Sequence, residues 1–225
     1  MLQKATLQFL SALKKNNNKP WFDANRPKYE AAKADFLQLT GDVLAGVAAF
    51  DSSLQHLQPK DCVFRINRDV RFSKNKAPYK TNMAMYLSKG GKKALDCAGY
   101  YLHIEPGAAF MAGGIWMPMA PELKKIRQEI DYSFSDLQQL LKAKSFKQVF
   151  GDLERNEQVV LTRPPKGYEA DNEAIEYLKL KSFIASAPLS DEYLSSQRLA
   201  AHIVKQFAAL YPLIQFLNRA LDHEE

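Results

Sequence analysis

The two ends of the chain carry hydrophobic residues at helical spacing. This spacing predicts a first helix over residues 3–15 and a second helix from Pro27 to about Phe50. Pro27 suits the first turn of a helix, because proline lacks the N–H group that would have no partner there. Further helices are predicted in the second half of the chain, and the last one, which begins near Ser190, is expected to break or kink at Pro212.

The middle of the chain alternates hydrophobic and polar residues, which is typical of half-buried strands. The Gly90-Gly91 and Pro106-Gly107 pairs are turn signals, and such short connections imply antiparallel neighbours. We therefore predict an α+β fold. A mostly antiparallel sheet, a meander over about residues 62–118 with later strands, packs with N-terminal and C-terminal helices. The predicted strands lie at about 62–72, 82–88, 98–105, 108–116, 158–162 and 182–186.

No linker, repeat or low-complexity tract divides the 225 residues, so a single compact domain over residues 1–225 is predicted. The hydrophobic content of 46% is enough to build a substantial core. The longest apolar run, Val43–Phe50, has eight residues, whereas a membrane span needs about 20. The first residues also lack the uninterrupted apolar region of a signal peptide. We expect a soluble, cytoplasmic protein that does not bind membranes.

Motifs that identify a reaction are absent from the sequence. The two cysteines, Cys62 and Cys97, lack the spacing of a metal site or of a paired framework, so we interpret them as reduced thiols beside or within strands. There is no His-Glu-x-x-His, Gly-x-Ser-x-Gly or phosphate-binding loop motif. No metal site is predicted and no cofactor is identified, and the sequence leaves open whether the protein is an enzyme.

Positive charge is concentrated in one segment. Between Lys60 and Lys93 there are ten basic residues and two acidic ones, a net charge of +8, whereas the rest of the chain has 21 basic and 23 acidic residues. Because the remainder is close to neutral, this distribution indicates one positive patch or pocket rather than a diffuse attraction to nucleic acid or membrane.

The predicted strand at 62–72 carries much of this charge on one face. Arginine offers paired donors that match two oxygens of a phosphate or carboxylate, and lysine adds mobile charge. The alternative is that Asp69 and other acids neutralise a solvated basic face. The hydrophobic face of this strand is predicted to consist of Phe64, Ile66, Val70 and Phe72. The candidate ligand-binding residues on and after it are Arg65, Arg71, Lys74, Lys76, Tyr79 and Lys80.

Three further polar residues of this region have competing interpretations. Arg68 points to the apolar side of the predicted strand, where a guanidinium needs a carboxylate or carbonyl partner, so we interpret it as structural. Asp69 lies among arginines that should keep it ionised. His103 shares a strand face with Tyr101 and Glu105, where it is either a general base or a structural histidine.

With these residues in view, the chain resembles a widespread bacterial family, also present in some fungi, that is known only as a domain of unknown function. The resemblance covers nearly the whole chain and rests above all on the long motif Arg68–Thr81. It implies a single compact α+β unit and supplies no catalytic residues. It also groups a second basic loop, which contains Arg163 and Lys166, with the first one, and we infer a shared ligand site from this grouping. Further matching pieces are Asn17–Tyr29, Tyr100–Leu102, Gly113-Gly114 with Trp116, and Arg163-Pro164 with Lys166–Tyr168.

The favoured function is the binding of a phosphate- or carboxylate-bearing small molecule in a basic pocket, with or without catalysis. One alternative is a nucleic-acid-binding module, in which the basic segment follows a phosphate backbone and tyrosines stack on bases. Another is an interaction domain for acidic protein partners. The identity of the ligand, any metal dependence and the oligomeric state stay open at this stage.

Overall fold

The computed structural model of the protein describes residues 1–94 and 96–222. Residues 95 and 223–225, which the single-domain prediction includes, lie outside this part. The described residues form ten α-helices and a four-stranded sheet, which confirms the predicted α+β class. The helices are α1 (Lys4–Lys15), α2 (Lys19–Ala24), α3 (Arg26–Ala48), α4 (Pro59–Cys62), α5 (Ala120–Tyr132), α6 (Phe134–Lys142), α7 (Lys144–Phe150), α8 (Ile175–Leu178), α9 (Asp191–Leu194) and α10 (Leu199–Asp222). A short 3₁₀ helix, Ser52–Leu54, follows α3.

The four described strands form an antiparallel meander in which each strand pairs with the next one along the chain. They are β1 (Met83–Leu87), β2 (Gly99–Ile104), β3 (Phe110–Ile115) and β4 (Phe183–Pro188). β1, β2 and β3 lie within the predicted meander, and β4 matches the strand predicted at 182–186. Along β2, the side chains of Tyr100, Leu102 and Ile104 are fully buried, whereas Tyr101 and His103 are half-buried on the other face, as the alternation predicted.

The described residues group into two compact units, each built from several segments. Unit 1 consists of Met1–Leu87, Tyr101–Met111 and Pro188–Lys205, and unit 2 of Ser88–Tyr100, Ala112–Ala187 and Gln206–Glu225. In unit 1, α1 packs against α3. Asp35 of α3 holds the start of α1, since its carboxylate accepts hydrogen bonds from the Thr6 hydroxyl (2.6 Å) and from the Gln3 backbone N–H (2.8 Å).

The strand predicted at 62–72 is wrong as a continuous element. α4 ends at Cys62, and the chain beyond it makes only isolated antiparallel bridges, Val63 with Met85 and Asn67 with Tyr79. The Asp69 side chain accepts a hydrogen bond from the Arg71 backbone N–H (3.2 Å), which turns the chain away from the sheet. The predicted inward position of Phe72 is also wrong, because this ring is 94% exposed.

The strand predicted at 158–162 is likewise reduced to one isolated bridge, between Val160 and Leu180. The Asn156 side chain accepts hydrogen bonds from the backbone N–H groups of Gln158 (3.0 Å) and Val159 (3.2 Å). A local side-chain partner thus takes the donors that a strand ladder needs.

In unit 2, helix α10 continues through Pro212, so the predicted break does not occur. An internal proline costs about 3 kcal/mol. The buried leucines Leu210, Leu213 and Leu217 lie on both sides of it, and each contributes about 1.5–3 kcal/mol when removed from water. The burial of this stripe therefore outweighs the lost backbone hydrogen bond.

Three features of the described residues bear on the function. None of their helices has a stretch of sufficient length and hydrophobicity to cross a membrane. They contain no group of three or more histidine, cysteine, aspartate or glutamate side chains arranged to hold a metal ion. Cys62 and Cys97 are both buried and are not joined to each other.

Candidate functional site

Residues 68–76 form an exposed turn that we call the basic loop. Two backbone hydrogen bonds close its base: the Arg68 N–H donates to the Pro78 carbonyl (2.9 Å), and the Lys80 N–H donates to the Ile66 carbonyl (2.8 Å). Asn17 holds the returning chain, because its side-chain amide donates to the Tyr79 carbonyl (2.9 Å) and accepts from the Tyr79 N–H (3.0 Å). The base of the loop is therefore pinned to the segment that follows α1.

Within the basic loop, Arg71 is paired with Asp69. Its Nε and Nη2 atoms donate to the two carboxylate oxygens of Asp69 at 3.0 and 2.7 Å. This hydrogen bonding lowers the pKa of Asp69, so the carboxylate is ionised as expected. The Arg71 guanidinium also lies over the exposed Phe72 ring, 5.6 Å from its centroid. Arg71 therefore has an internal partner.

Arg68 and Lys76 maintain the shape of the loop. The half-buried Arg68 donates from Nη1 to the Ala77 carbonyl at 3.0 Å, which is one of the two kinds of partner expected for it from the sequence. Lys76 Nζ donates to the Val70 carbonyl at 3.1 Å. Lys74, by contrast, is exposed and has no hydrogen-bond or ion-pair partner among the described residues.

Tyr79 lies in the core of unit 1. Its side chain is 6% exposed, and its ring stacks on Phe22 of α2 with centroids 4.0 Å apart and an interplanar angle of 14°. The ring therefore anchors the end of the basic loop to the core and does not face solvent.

Arg65 and Lys80 lie on the two segments that lead into and out of the basic loop, which are joined by the hydrogen bond from the Lys80 N–H to the Ile66 carbonyl (2.8 Å). Arg65 is exposed and has no hydrogen-bond or ion-pair partner within the described part of the chain. The half-buried Lys80 places its ammonium group 5.2 Å from the centroid of the Phe64 ring. Burial, together with the positive charge of Arg65, lowers the pKa of Lys80.

The outer face of β2 carries a hydrogen-bonded polar network next to these cations. His103 Nδ1 lies 3.1 Å from the Tyr101 hydroxyl and 3.2 Å from the Asn82 amide nitrogen, and His103 Nε2 lies 3.4 Å from Glu105 Oε2. Because the Asn82 amide nitrogen can only donate, Nδ1 acts as an acceptor and Nε2 carries the proton. His103 is therefore neutral, with Glu105 as its acceptor.

The pKa values in this network agree with that assignment. Burial lowers the pKa of His103, and its hydrogen bond to Glu105 offsets this only in part. Burial by itself raises the pKa of Glu105. The hydrogen bonds from Lys14, His103 and Thr81 together lower this pKa by more than burial raises it, so the net pKa is below its usual value. The Lys14 ammonium and the Thr81 hydroxyl lie 2.9 and 3.0 Å from Glu105 Oε1.

Aromatic rings continue this face of unit 1. The Tyr101 ring lies 6.4 Å from Phe64 and 5.6 Å from Phe110, measured between centroids. The His103 ring stacks on Phe110 at 4.8 Å with an interplanar angle of 17°. We call these four rings, Phe64, Tyr101, His103 and Phe110, the ring patch.

Arg163 and Lys166 lie in unit 2, on an exposed loop that precedes α8. Their participation in a site with the basic loop stays a prediction.

Sequence reasoning did not single out Asn82, Thr81, Lys14 or Phe110. The alternation of the predicted strands contained a signal for Asn82 and Phe110. Lys14 is distant in sequence and could be found only from the packing of α1.

Comparison with known proteins gives one informative result. No match was found among curated proteins or among solved structures. A family model described as conserved hypothetical protein (DUF2461) matches residues 5–216. Because this match spans nearly the whole chain, the protein belongs to the DUF2461 family of conserved hypothetical proteins.

Proposed function

We propose that the protein binds a phosphate- or carboxylate-bearing ligand at Arg65 and Lys80. The observation that supports this most strongly is that neither cation is paired with a carboxylate in the described part of the chain, while the hydrogen bond from the Lys80 N–H to the Ile66 carbonyl (2.8 Å) brings their two chain segments side by side. The nearby Asp69 carboxylate is already held by Arg71. Two positive charges that are held near each other each disfavour the charged form of the other. An anion bound between them offsets this repulsion.

The basic loop extends the proposed site. Lys74 adds an unpaired positive charge, and Arg71 can exchange its internal Asp69 partner for a ligand oxygen, whereas Lys76 and Tyr79 serve by holding the loop in place. Arg163 and Lys166 lie in unit 2, and their part in ligand binding stays a sequence prediction. The cytoplasmic location predicted from the sequence belongs to the same proposal, which assigns binding and no reaction.

Single-stranded nucleic acid is the second candidate ligand, and the exposed Phe72 favours it. Proteins that bind single strands combine positive charge along the backbone with aromatic side chains on which bases stack. Phe72 is 94% exposed within the basic loop and lies beside Arg71. A small anion has no group that stacks on this ring, whereas a single strand of nucleic acid that crosses the loop has bases that do.

The test is thermal unfolding and calorimetry with pyrophosphate, citrate and a short single-stranded oligonucleotide. A small anion at about 100 times its dissociation constant should stabilise the protein by about 2.7 kcal/mol. The double variant Arg65→Ala and Lys80→Ala should lose this stabilisation. Lys142→Ala is the matched control, because it removes an exposed charge from α6 in unit 2. Binding of small anions that is equal in the double variant would contradict the proposal.

The oligonucleotide measurement separates the two candidates. Binding of a single strand should weaken steeply as the salt concentration rises, because each neutralised phosphate releases counterions. It should also weaken in Phe72→Ser, which leaves the charges of the loop in place. Affinity for the oligonucleotide that is insensitive to both salt and Phe72 would exclude the second candidate.

A further inference from the structure

The outer face of β2 carries aromatic rings that are not part of the buried core. The core side of this strand is filled by Tyr100, Leu102 and Ile104, which are all fully buried. Tyr101 and His103 point to the opposite face and keep part of their surface exposed to solvent. Large aromatic groups on a non-core face need another reason to be there.

The ring patch is continuous. Its four rings are linked by centroid distances of 4.8 to 6.4 Å, and Phe110 of β3 and Phe64 flank the two rings of β2. All four side chains are half-buried. Together they form one partly exposed apolar surface on unit 1.

The polar atoms of the patch are already satisfied. The Tyr101 hydroxyl and the Asn82 amide are both within hydrogen-bonding distance of His103 Nδ1. Glu105 accepts from His103 Nε2 and also accepts hydrogen bonds from Lys14 and Thr81. His103 is neutral in this arrangement. The patch therefore offers aromatic surface to a ligand and leaves the charge to its neighbours.

Positive charge lies at one edge of the patch. The Lys80 ammonium is 5.2 Å from the centroid of Phe64, and the Lys80 N–H donates to the Ile66 carbonyl (2.8 Å), so Arg65 lies on the chain segment beside Lys80. If the anionic group of a ligand lies on these cations, the part of the ligand next to that group lies over the rings. A dicarboxylate or a sugar phosphate has no planar apolar surface to cover them, whereas a nucleobase does.

We propose that the ligand of this site is a nucleotide, with its phosphate on Arg65 and Lys80 and its base packed on Tyr101 and Phe110. This inference rests on the proposed anion site and adds the chemical class of the ligand. Two observations support it: the Lys80 ammonium lies 5.2 Å from the Phe64 ring, and the Phe64, Tyr101 and Phe110 rings follow one another at centroid distances of 6.4 and 5.6 Å.

The experiment compares adenosine 5′-monophosphate with ribose 5-phosphate, two ligands that carry the same phosphate and differ in the base. Calorimetry on the full chain should show about tenfold tighter binding of the nucleotide, the gain expected from stacking one base on aromatic side chains. Tyr101→Leu and Phe110→Leu should each reduce the affinity for the nucleotide toward that for ribose 5-phosphate. Neither variant should change the affinity for ribose 5-phosphate, which does not reach the rings.

The possible outcomes separate this inference from the proposed function. Equal affinities for the two ligands would overturn the nucleotide assignment and leave the anion site in place. Failure of both ligands and of pyrophosphate to bind would remove the anion site itself. Binding of the oligonucleotide without the mononucleotide would also overturn the assignment. If both leucine variants fail to fold, saturation-transfer NMR on the wild-type protein tests the nucleotide assignment. A base packed on the rings should receive more saturation at its protons than the ribose does, and the opposite result would overturn the assignment.

Discussion

Asn17 is a single residue that holds the chain returning from the basic loop. Its amide replaces a strand partner for Tyr79 by bonding both the N–H and the carbonyl of that residue. We expect Asn17→Ala to lower the free energy of unfolding by about 1–3 kcal/mol, because it leaves two half-buried backbone groups without partners. Urea denaturation measures this change.

The neighbouring Asn16 provides the control for this prediction. Its amide donates to the Ala12 carbonyl at the exposed end of α1. Asn16→Ala should therefore change the free energy of unfolding by no more than about 0.5 kcal/mol. If the two alanine variants are equally stable, Asn17 does not hold the loop.

His103 makes the stability of the protein depend on pH. Burial holds its pKa below the usual 6.5 in the folded chain, although Glu105 accepts from Nε2. As the pH falls below about 6.5, the unfolded chain takes up a proton that the folded chain refuses, so the free energy of unfolding decreases. This contribution is complete above that pH and is lost as the pH falls toward the folded pKa of His103.

We expect His103→Gln to flatten the pH dependence below about pH 6.5. One proton changes the slope by at most about 1.4 kcal/mol per pH unit. Urea denaturation at several pH values measures the slope in the wild type and in the variant. His56→Gln, which changes an exposed histidine, is the control. An unchanged slope in His103→Gln would show that this histidine is protonated as easily in the folded chain as in the unfolded one.

At the scale of elements, β3 approaches β4 through Gly114. A Cβ atom on Gly114 would lie 1.8 Å from the Phe183 carbonyl oxygen, and the φ angle of this glycine is +128°. The glycine is thus required by close contact with the protein's own backbone. We expect Gly114→Ala to lower the free energy of unfolding by at least about 3 kcal/mol. The alanine is strained at this positive φ, and its Cβ also displaces the backbone at Phe183.

Gly107→Ala is the control for this substitution. Gly107 also has a positive φ, +79°, but no atom lies within 4 Å of a Cβ built on it. Its replacement should cost only the conformational penalty of about 1–2 kcal/mol. Urea denaturation compares the two variants, and equal costs would argue against a clash at Phe183.

At the scale of the whole molecule, we expect the protein to unfold in one transition. The division between the two compact units falls inside β2, β3 and α10, so the loss of either unit would leave these elements incomplete. The single-domain prediction from the sequence therefore stays our expectation.

The two tryptophans allow this to be measured. Trp116→Phe leaves Trp21, which lies in unit 1 against Phe9, as the one fluorescent tryptophan. Its fluorescence reports unit 1, while circular dichroism reports helices of both units. Coincident urea midpoints are expected, and different midpoints would show two separately folding domains.

The α+β fold could be predicted from the sequence, whereas the internal partners of the candidate site residues could not. Helices and turns were predictable because periodicity and glycine or proline turns act over a few residues. Residues 68–72 of the basic loop were predicted as the end of a strand, because the hydrogen bond from the Arg71 backbone N–H to Asp69 competes with strand pairing and leaves no trace in the alternation. Arg71 and Tyr79 looked equivalent to Arg65 as ligand contacts, although one is paired with Asp69 and the other stacks on Phe22.

The sequence by itself determined the α+β class, the antiparallel meander, the outward face of β2 and the concentration of positive charge after Lys60, because each depends on the local order of residues. Only the tertiary structure decided which cations are free. Whether a charge is paired depends on residues that are brought together by packing, and packing also placed Lys14 on Glu105 and Lys80 on Phe64. The candidate site is therefore a product of long-range contacts, which no local pattern encodes.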